Sequence, residues 1–258
     1  GVTVTPTTGL VVNESGSTAS FVIVLNTQPA ADVTFDLVSS DTTEGTVSPA
    51  TVTFGPGTWN QPQTVTVAGI DDAVADGSVG FSIVTGAGSS TDIDYADLDP
   101  ADVTITTSDN DTAGITVAPT ANLTVTEAGG TATFTVVLQT QPTADVTIDV
   151  SSSDLTEGTV APAVLTFTPA TWNTAQRVTV TGAADAVRDG DVAFVVVVAP
   201  AISSDGRYAG LDPADVSVTN LEGRLVSAAS GRVLSVGGQP VGGVTIYLTG
   251  AAVASMTT

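Results

Sequence analysis

The sequence predicts an all-β chain built from two tandem antiparallel sandwiches, and three observations carry that prediction. Residues 1–108 and 114–221 are one sequence written twice, at an offset of 113 positions without a gap. Within each copy, apolar and polar residues alternate with a period of two, the pattern of half-buried strands. The composition is rich in Thr, Val, Ala and Gly, which suits strands and turns and disfavours helices.

The repeat is direct. GVTVTPTTGLVVNESGSTASFVIVL returns as GITVAPTANLTVTEAGGTATFTVVL, and SSDTTEGTVSPATVTFGPGTWNQPQTVTV returns as SSDLTEGTVAPAVLTFTPATWNTAQRVTV. A fixed period of this length means tandem domains, each large enough for its own core. The expected division is 1–113, 114–222, and a remainder at 223–258.

Taken in order, the first copy opens with VTVT at 2–5 and LVV at 10–12. Phe21, Ile23 and Leu25 then point one way, as do Val33, Phe35 and Leu37. The pairs Val52/Phe54, Val65/Val67, Phe81/Ile83 and Val103/Ile105 continue the series, giving about seven or eight short strands per copy. Turn clusters separate them: NTQPA, SSDTTEGT, GPGTWN, DDAVADG and DLDPAD. One polar and one apolar face per strand indicates antiparallel sheets packed face to face, an immunoglobulin-like architecture. The offset then predicts matching buried pairs: Phe21/Phe134, Leu25/Leu138, Phe54/Phe167, Val67/Val180 and Phe81/Phe194. Gly45 and Gly158, which follow Glu44 and Glu157, are expected at turn positions of positive φ. Trp59 and Trp172 hold one place in both copies, where the fixed spacing from core strands favours an end plug over a sugar-stacking surface.

Charge narrows the function. The chain has 27 acids, 5 bases and a net charge of −22. Residues 1–113 carry fifteen acids and no Lys or Arg, whereas 114–222 carry twelve acids with Arg177, Arg188 and Arg207. The first copy therefore has no side-chain cation of its own, and its carboxylates must stay solvated, take up protons or bind metal ions. Nucleic-acid binding and docking on anionic membranes need basic surface, which this chain lacks. The longest apolar run, Val192 to Ile202, is too short to span a bilayer, so no membrane insertion of this segment is expected. The chain begins in a strand pattern with no secretory signal and is expected to be mature or excised material. His, Cys and Lys are all absent, which removes the usual general base, thiolate nucleophile and Schiff-base amine; no enzymatic activity is expected.

Four acidic groups recur in each copy. In the first they are Glu14, then Asp41, then Asp71, Asp72 and Asp76, then Asp109 with Asp111. Loops of a sandwich gather at its two ends, so these groups can converge on the end facing the next copy. Periodicity does not establish that convergence, and Asp in turns is also common for local hydrogen bonding and solubility. A further acidic run, TDIDYADLD, begins like an EF-hand loop but has Asp97 where that loop needs Gly and Val103 where it needs Glu.

The order of these motifs resembles the Calx-β domain: a first strand followed by E-x-G, a D-x-x-x-G turn, a T-F-x-P strand, V-x-V-x-x-x-D-D-x-x-x-D and a terminal D-x-D. That family occurs in sodium–calcium exchangers and in tandem repeats of large bacterial surface proteins and adhesins. The resemblance covers residues 1–222 and implies a calcium cluster at the C-terminal end of each domain. Carried over by position, the Ca²⁺ ligands are Glu14, Asp41, Asp71, Asp72, Asp76, Asp109 and Asp111 in the first copy. In the second they are Glu127, Asp154, Asp185, Asp189 and Glu222. There Asp71 is replaced by Ala184, and Asn110-Asp111 by Gly223-Arg224, so ligands are lost and a cation is gained. The physics agrees with the first assignment. Ca²⁺ takes six to eight oxygens on flexible loops, and neighbouring carboxylates repel by about 1 kcal/mol per pair even in water.

Residues 223–258, with SGRVLSVGGQPVGGVTIYLTG, resemble the opening strands of carboxypeptidase-regulatory-like (B-type) sandwich domains. The whole reads as a structural and adhesive extracellular repeat of a bacterial cell surface, a stalk or fibre whose junctions calcium stiffens. Its expected partners are neighbouring repeats, like chains in a filament, or a cell-surface glycan. The alternative is a carbohydrate-binding module of a secreted or surface protein.

Overall fold

The structure, a computed structural model, describes residues 1–185, 187, 189–223, 237 and 238. The expected third sandwich at 223–258 lies almost wholly outside the described residues, as do Arg188, Arg224 and Arg232. Residues Gly1–Glu222 form one compact unit. Its secondary structure is strand throughout, with no helix among the described residues and hence none long and apolar enough to cross a membrane.

Nine strands arise from the first copy: β1 (Val2–Thr5), β2 (Leu10–Asn13), β3 (Thr18–Leu25), β4 (Val33–Ser39), β5 (Gly45–Ser48), β6 (Thr51–Phe54), β7 (Gln63–Gly69), β8 (Val79–Thr85) and β9 (Val103–Ser108). Ten arise from the second: β10 (Ile115–Ala118), β11 (Leu123–Thr126), β12 (Thr131–Leu138), β13 (Val146–Ser152), β14 (Gly158–Ala161), β15 (Val164–Phe167), β16 (Gln176–Gly182), β17 (Val192–Val198), β18 (Ile202–Ser203) and β19 (Val216–Leu221). The count exceeds the seven or eight expected because GTVS and TVTF, on either side of Pro49, are separate strands that pair in different sheets.

In the first sandwich one sheet runs β1-β3-β7-β5 and the other β2-β9-β8-β4-β6. The second repeats this with β10-β12-β16-β14 and β11-β19-β17-β13-β15, plus β18 on β13. The pairing is antiparallel except at one place in each sandwich, where β2 runs parallel to β9 and β11 parallel to β19. A purely antiparallel reading missed this crossing of the opening strand to the second sheet.

The inward faces form two equivalent cores, and all ten residues of the predicted pairs are buried, from Phe54 and Phe167 at 0% exposure to Phe81 and Phe194 at 5%. Trp59 and Trp172 are half-buried against these cores, and each Trp carbonyl accepts the N–H at the end of the long first-sheet strand, Leu25 or Leu138. Tyr95 and Tyr208, each 1% exposed, donate through Oη to the carbonyls of Thr27 and Thr140 at 2.6 and 2.7 Å. The acidic run around Tyr95 is structural: Asp92 accepts the Ala30 N–H at 2.6 Å, as Asp205 accepts that of Thr143 at 2.8 Å.

Gly45 and Gly158 are not the positive-φ turn residues expected. They open β5 and β14, where a Cβ would meet the Cζ of Phe81 at 2.4 Å and of Phe194 at 2.5 Å. The requirement is close packing under an aromatic ring.

Candidate metal centre

Strand register brings the acidic groups together. The parallel β2–β9 pair aligns Asn13 with Ser108, so both chains leave the sheet side by side. Glu14 N–H then bonds the Ser108 carbonyl at 3.2 Å, and Asn110 N–H returns to Glu14 Oε2 at 3.1 Å. On the opposite sheet, β5 and β7 align Gly45 with Gly69, which sets Glu44 beside the chain leaving β7; Ile70 N–H bonds its carbonyl at 3.1 Å. Gly69 closes the gap between the sheets, since a Cβ there would lie 2.1 Å from the Asn13 carbonyl oxygen.

Two groups of carboxylates share Glu14: Glu14/Asp71/Asp111 and Glu14/Asp76/Asp109, with the oxygens of each group within 4.8 Å of one another. The surrounding loops are held by their own main chain. Asp109 Oδ2 accepts Gly77 N–H and Oδ1 accepts Asp111 N–H, both at 2.6 Å, and Asn110 Nδ2 reaches Asp71 Oδ1 at 3.1 Å. Glu14 is only 2% exposed. Loss of hydration, with Asp109, Asp72 and Asp76 nearby, pushes its carboxyl up to about 7 against the pull of Asn110 N–H. Desolvation and neighbouring aspartates likewise raise Asp76 and Asp111. A backbone N–H and then the charge of Arg207 pull Asp76 the other way.

The predicted residues do not all meet. Asp41 is in neither group: its Oδ1 closes a local turn with the N–H and hydroxyl of Thr43 and is thereby held low, though it is near enough to raise Glu44. Asp154 does the same with Thr156. Asp72 lies outside both groups, with Oδ1 accepting Val74 N–H at 2.7 Å, yet it is near enough to raise Glu14, Glu44 and Asp111.

Glu44 belongs to this end of the sandwich and went unpredicted. It is 5% exposed, and its Oε2 is buried without a hydrogen-bond partner. Desolvation first, and Asp76 second, raise its carboxyl. A buried carboxylate oxygen with no donor is a poor resting state and a good metal ligand.

In the second sandwich the corresponding register holds, with Thr126 aligned to Leu221 and Gly158 to Gly182. The groups are Glu127/Asp189/Glu222 and Glu157/Asp185/Asp189, again within 4.8 Å. Glu157, the counterpart of Glu44, was likewise missed. Ala184 removes the counterpart of Asp71, and Arg224 lies outside the described residues. Glu222 Oε2 accepts Gly190 N–H at 3.2 Å, as Asp109 accepts Gly77.

The first cluster also meets the second sandwich. Gln141 N–H donates to the Ala73 carbonyl at 2.6 Å, and Arg207 Nη2 to the Asp76 carbonyl at 2.6 Å. Both acceptors lie on the loop that carries Asp71, Asp72 and Asp76.

No family model matches the chain, and no curated protein is significantly similar to it. Among solved structures, the CBD12 unit of CALX1.2 aligns over 84% of this chain and 98% of its own length, at 15% identity and a TM-score of 0.38. The calcium binding domain CBD12 of CALX1.1 aligns to the same extent at 15% identity and 0.37. Domains 1–6 of the surface layer protein SbsC align over 86% of this chain and 26% of their own, at 17% and 0.30. Likeness this loose carries no inference about ligands or function.

Proposed function

We propose that this chain is a calcium-binding tandem sandwich module of an extracellular, cell-surface protein, in which the ion stiffens the junction between successive sandwiches. One observation carries the reading: Glu14, buried and shared by two carboxylate groups, sits in a copy that has no Lys or Arg. The donor set fits Ca²⁺. It is all oxygen, drawn from three separate chain segments, and Glu44 Oε2, buried without a hydrogen-bond partner, adjoins it. Glu14, Asp71, Asp76, Asp109 and Asp111 would hold the ion, with Glu44 and Asp72 adjoining. Bound Ca²⁺ supplies the positive charge that this end of the sandwich lacks. The motif order that resembles Calx-β supports the same choice of cation.

The junction follows from the loop that Gln141 and Arg207 grasp. Residues 71–77 present carboxylates to the cluster and the carbonyls of Ala73 and Asp76 to the second sandwich. Fixing the carboxylates fixes the acceptors. A stalk or adhesive fibre is the role that such a junction serves. The half-buried packing of Trp59 and Trp172 speaks against the carbohydrate-binding alternative.

Calorimetric titration of the full chain with Ca²⁺ at fixed ionic strength tests the reading, with Glu14→Gln/Asp111→Asn as the paired variant. Binding by the natural chain and its loss in the variant are expected. Equal heats in both would reject the site. Small-angle scattering with and without Ca²⁺ tests the stiffened junction, and a glycan array tests the alternative.

A further inference from the structure

We propose that the inward-facing position held by Thr107 in the first sandwich and Asn220 in the second decides how strongly each carboxylate cluster calls for a divalent cation. The proposal rests on the calcium reading above and names the residue that sets the two sites apart.

The two positions are equivalent. Thr107 in β9 and Asn220 in β19 both continue the buried face of their strands, after Val103/Ile105 and Val216/Val218, and each is 1% exposed. Their polar atoms act differently. Thr107 Oγ1 donates to the main-chain carbonyl of Glu44 at 3.2 Å and is near enough to the Glu44 carboxyl to lower it, yet Glu44 Oε2 stays buried without a partner. Asn220 reaches further: its Nδ2 donates to Glu157 Oε2 at 3.1 Å and to the Ala183 carbonyl at 3.0 Å. The orientation of that amide is fixed by these two acceptors, since turning it over would set Oδ1 against two oxygens. The second sandwich keeps this arrangement although Asn220 Oδ1 is itself left buried without a partner.

The amide hydrogens thus supply Glu157 Oε2 and the Ala183 carbonyl with a donor. Glu157 brings to the Glu157/Asp185/Asp189 group an Oε2 that already accepts an amide N–H, which an ion must share or displace, whereas Glu44 Oε2, beside the first groups, accepts none. Asn220 is a built-in amide donor at the position where the first sandwich has only the Thr107 hydroxyl.

The reciprocal exchange tests this in the full chain. Thr107→Asn and Asn220→Thr each install the residue the other sandwich already accommodates. Calcium affinity of the first cluster is measured in a Glu127→Gln background and of the second in a Glu14→Gln background; melting in chelator is recorded for every variant. Thr107→Asn is expected to weaken the first site about tenfold and Asn220→Thr to tighten the second about tenfold, the scale of one hydrogen bond to a charged group. In chelator, Thr107→Asn raises the melting temperature and Asn220→Thr lowers it. Affinities unmoved by either exchange, or weaker binding in Asn220→Thr, would overturn the proposal, the latter by making Asn220 a positioning residue for a ligating Glu157. If the natural chain takes up no Ca²⁺, the calcium reading fails and this proposal with it. Natural binding with unmoved variants defeats this proposal alone.

Discussion

The two carboxylate clusters grow from nearly the same sequence on the same strand register, yet they resolve their charge differently. The first gathers Glu14, Asp71, Asp76, Asp109 and Asp111, and the second Glu127, Glu157, Asp185, Asp189 and Glu222. Five carboxylates converge in each, so the number of acids is not what separates them. The first has Asp71 and Asp111 where the second has Ala184 and Arg224, and it leaves Glu44 Oε2 without a donor where the second gives Glu157 an amide. Register decides that acids meet at all; single side chains around them decide what counter-charge they need.

If the scaffolds are equivalent, they should fail equally. Gly45→Ala and Gly158→Ala each drive a Cβ into an aromatic ring, at 2.4 Å from Phe81 and 2.5 Å from Phe194. Each is expected to cost about 3 kcal/mol, the upper range for overpacking a core. Chemical denaturation of both variants measures the two losses, and a clear inequality would break the equivalence of the cores. The next largest effect separates the clusters. Saturating Ca²⁺ at 100 times its dissociation constant should stabilise the sandwich that binds it by about 2.7 kcal/mol. Melting curves in Ca²⁺ and in chelator should therefore differ, and Asp71→Ala should shrink the difference more than Asp185→Ala does. The reverse order would place the principal site in the second sandwich.

Most of the scaffold is readable from the sequence because a period of two names the buried face directly, as Phe21/Ile23/Leu25 and their partners show. The acidic loops are readable as clusters because their members lie close in the chain. Glu44 and Glu157 are not, since each stands alone before a glycine and reaches the site only through the Gly45–Gly69 and Gly158–Gly182 register across the sheet. Asp41 and Asp154 join no carboxylate group, being acids in a turn where a Thr two positions on donates to them. The exchange of Thr107 for Asn220 did leave a signal: a polar residue on an inward position of an otherwise apolar alternation.

Acidity offers a further comparison. The Glu14 carboxyl is raised from 4.5 to about 7, so without metal its contribution to stability is complete below pH 4.5 and is lost as pH rises through 7. Glu14→Gln should flatten that decline, and at pH 8 in chelator it should stabilise the chain by about 2 kcal/mol. With Ca²⁺ present the sign inverts, because the variant forfeits a shared ligand. Melting temperatures across pH 4 to 8 with and without Ca²⁺ check both, on an approximate scale set by ordinary carboxylate titration. A steeper loss in the variant would mean that Glu14 is not the buried acid controlling this end of the fold. The same substitution at Glu127 puts the second cluster on the same scale.

The smallest expected effect concerns the cation that the second sandwich lends to the first. Arg207 stands where the first copy has Asp94, and it donates to the Asp76 carbonyl instead of its carboxylate. A bond to the main chain holds the loop without consuming a ligand oxygen, while the guanidinium's charge opposes a metal ion only through partly screened distance. Arg207→Ala should therefore lower stability in chelator by about 1 kcal/mol, the worth of one such hydrogen bond. Calcium affinity should change by less than about threefold, since loss of the repelling charge offsets loss of loop order. Gln141 keeps its bond to Ala73, so the two sandwiches stay joined on that side. A large gain in calcium affinity would show Arg207 to be a competitor of the ion, and a large loss would show that the first cluster is assembled only when the second sandwich holds its loop.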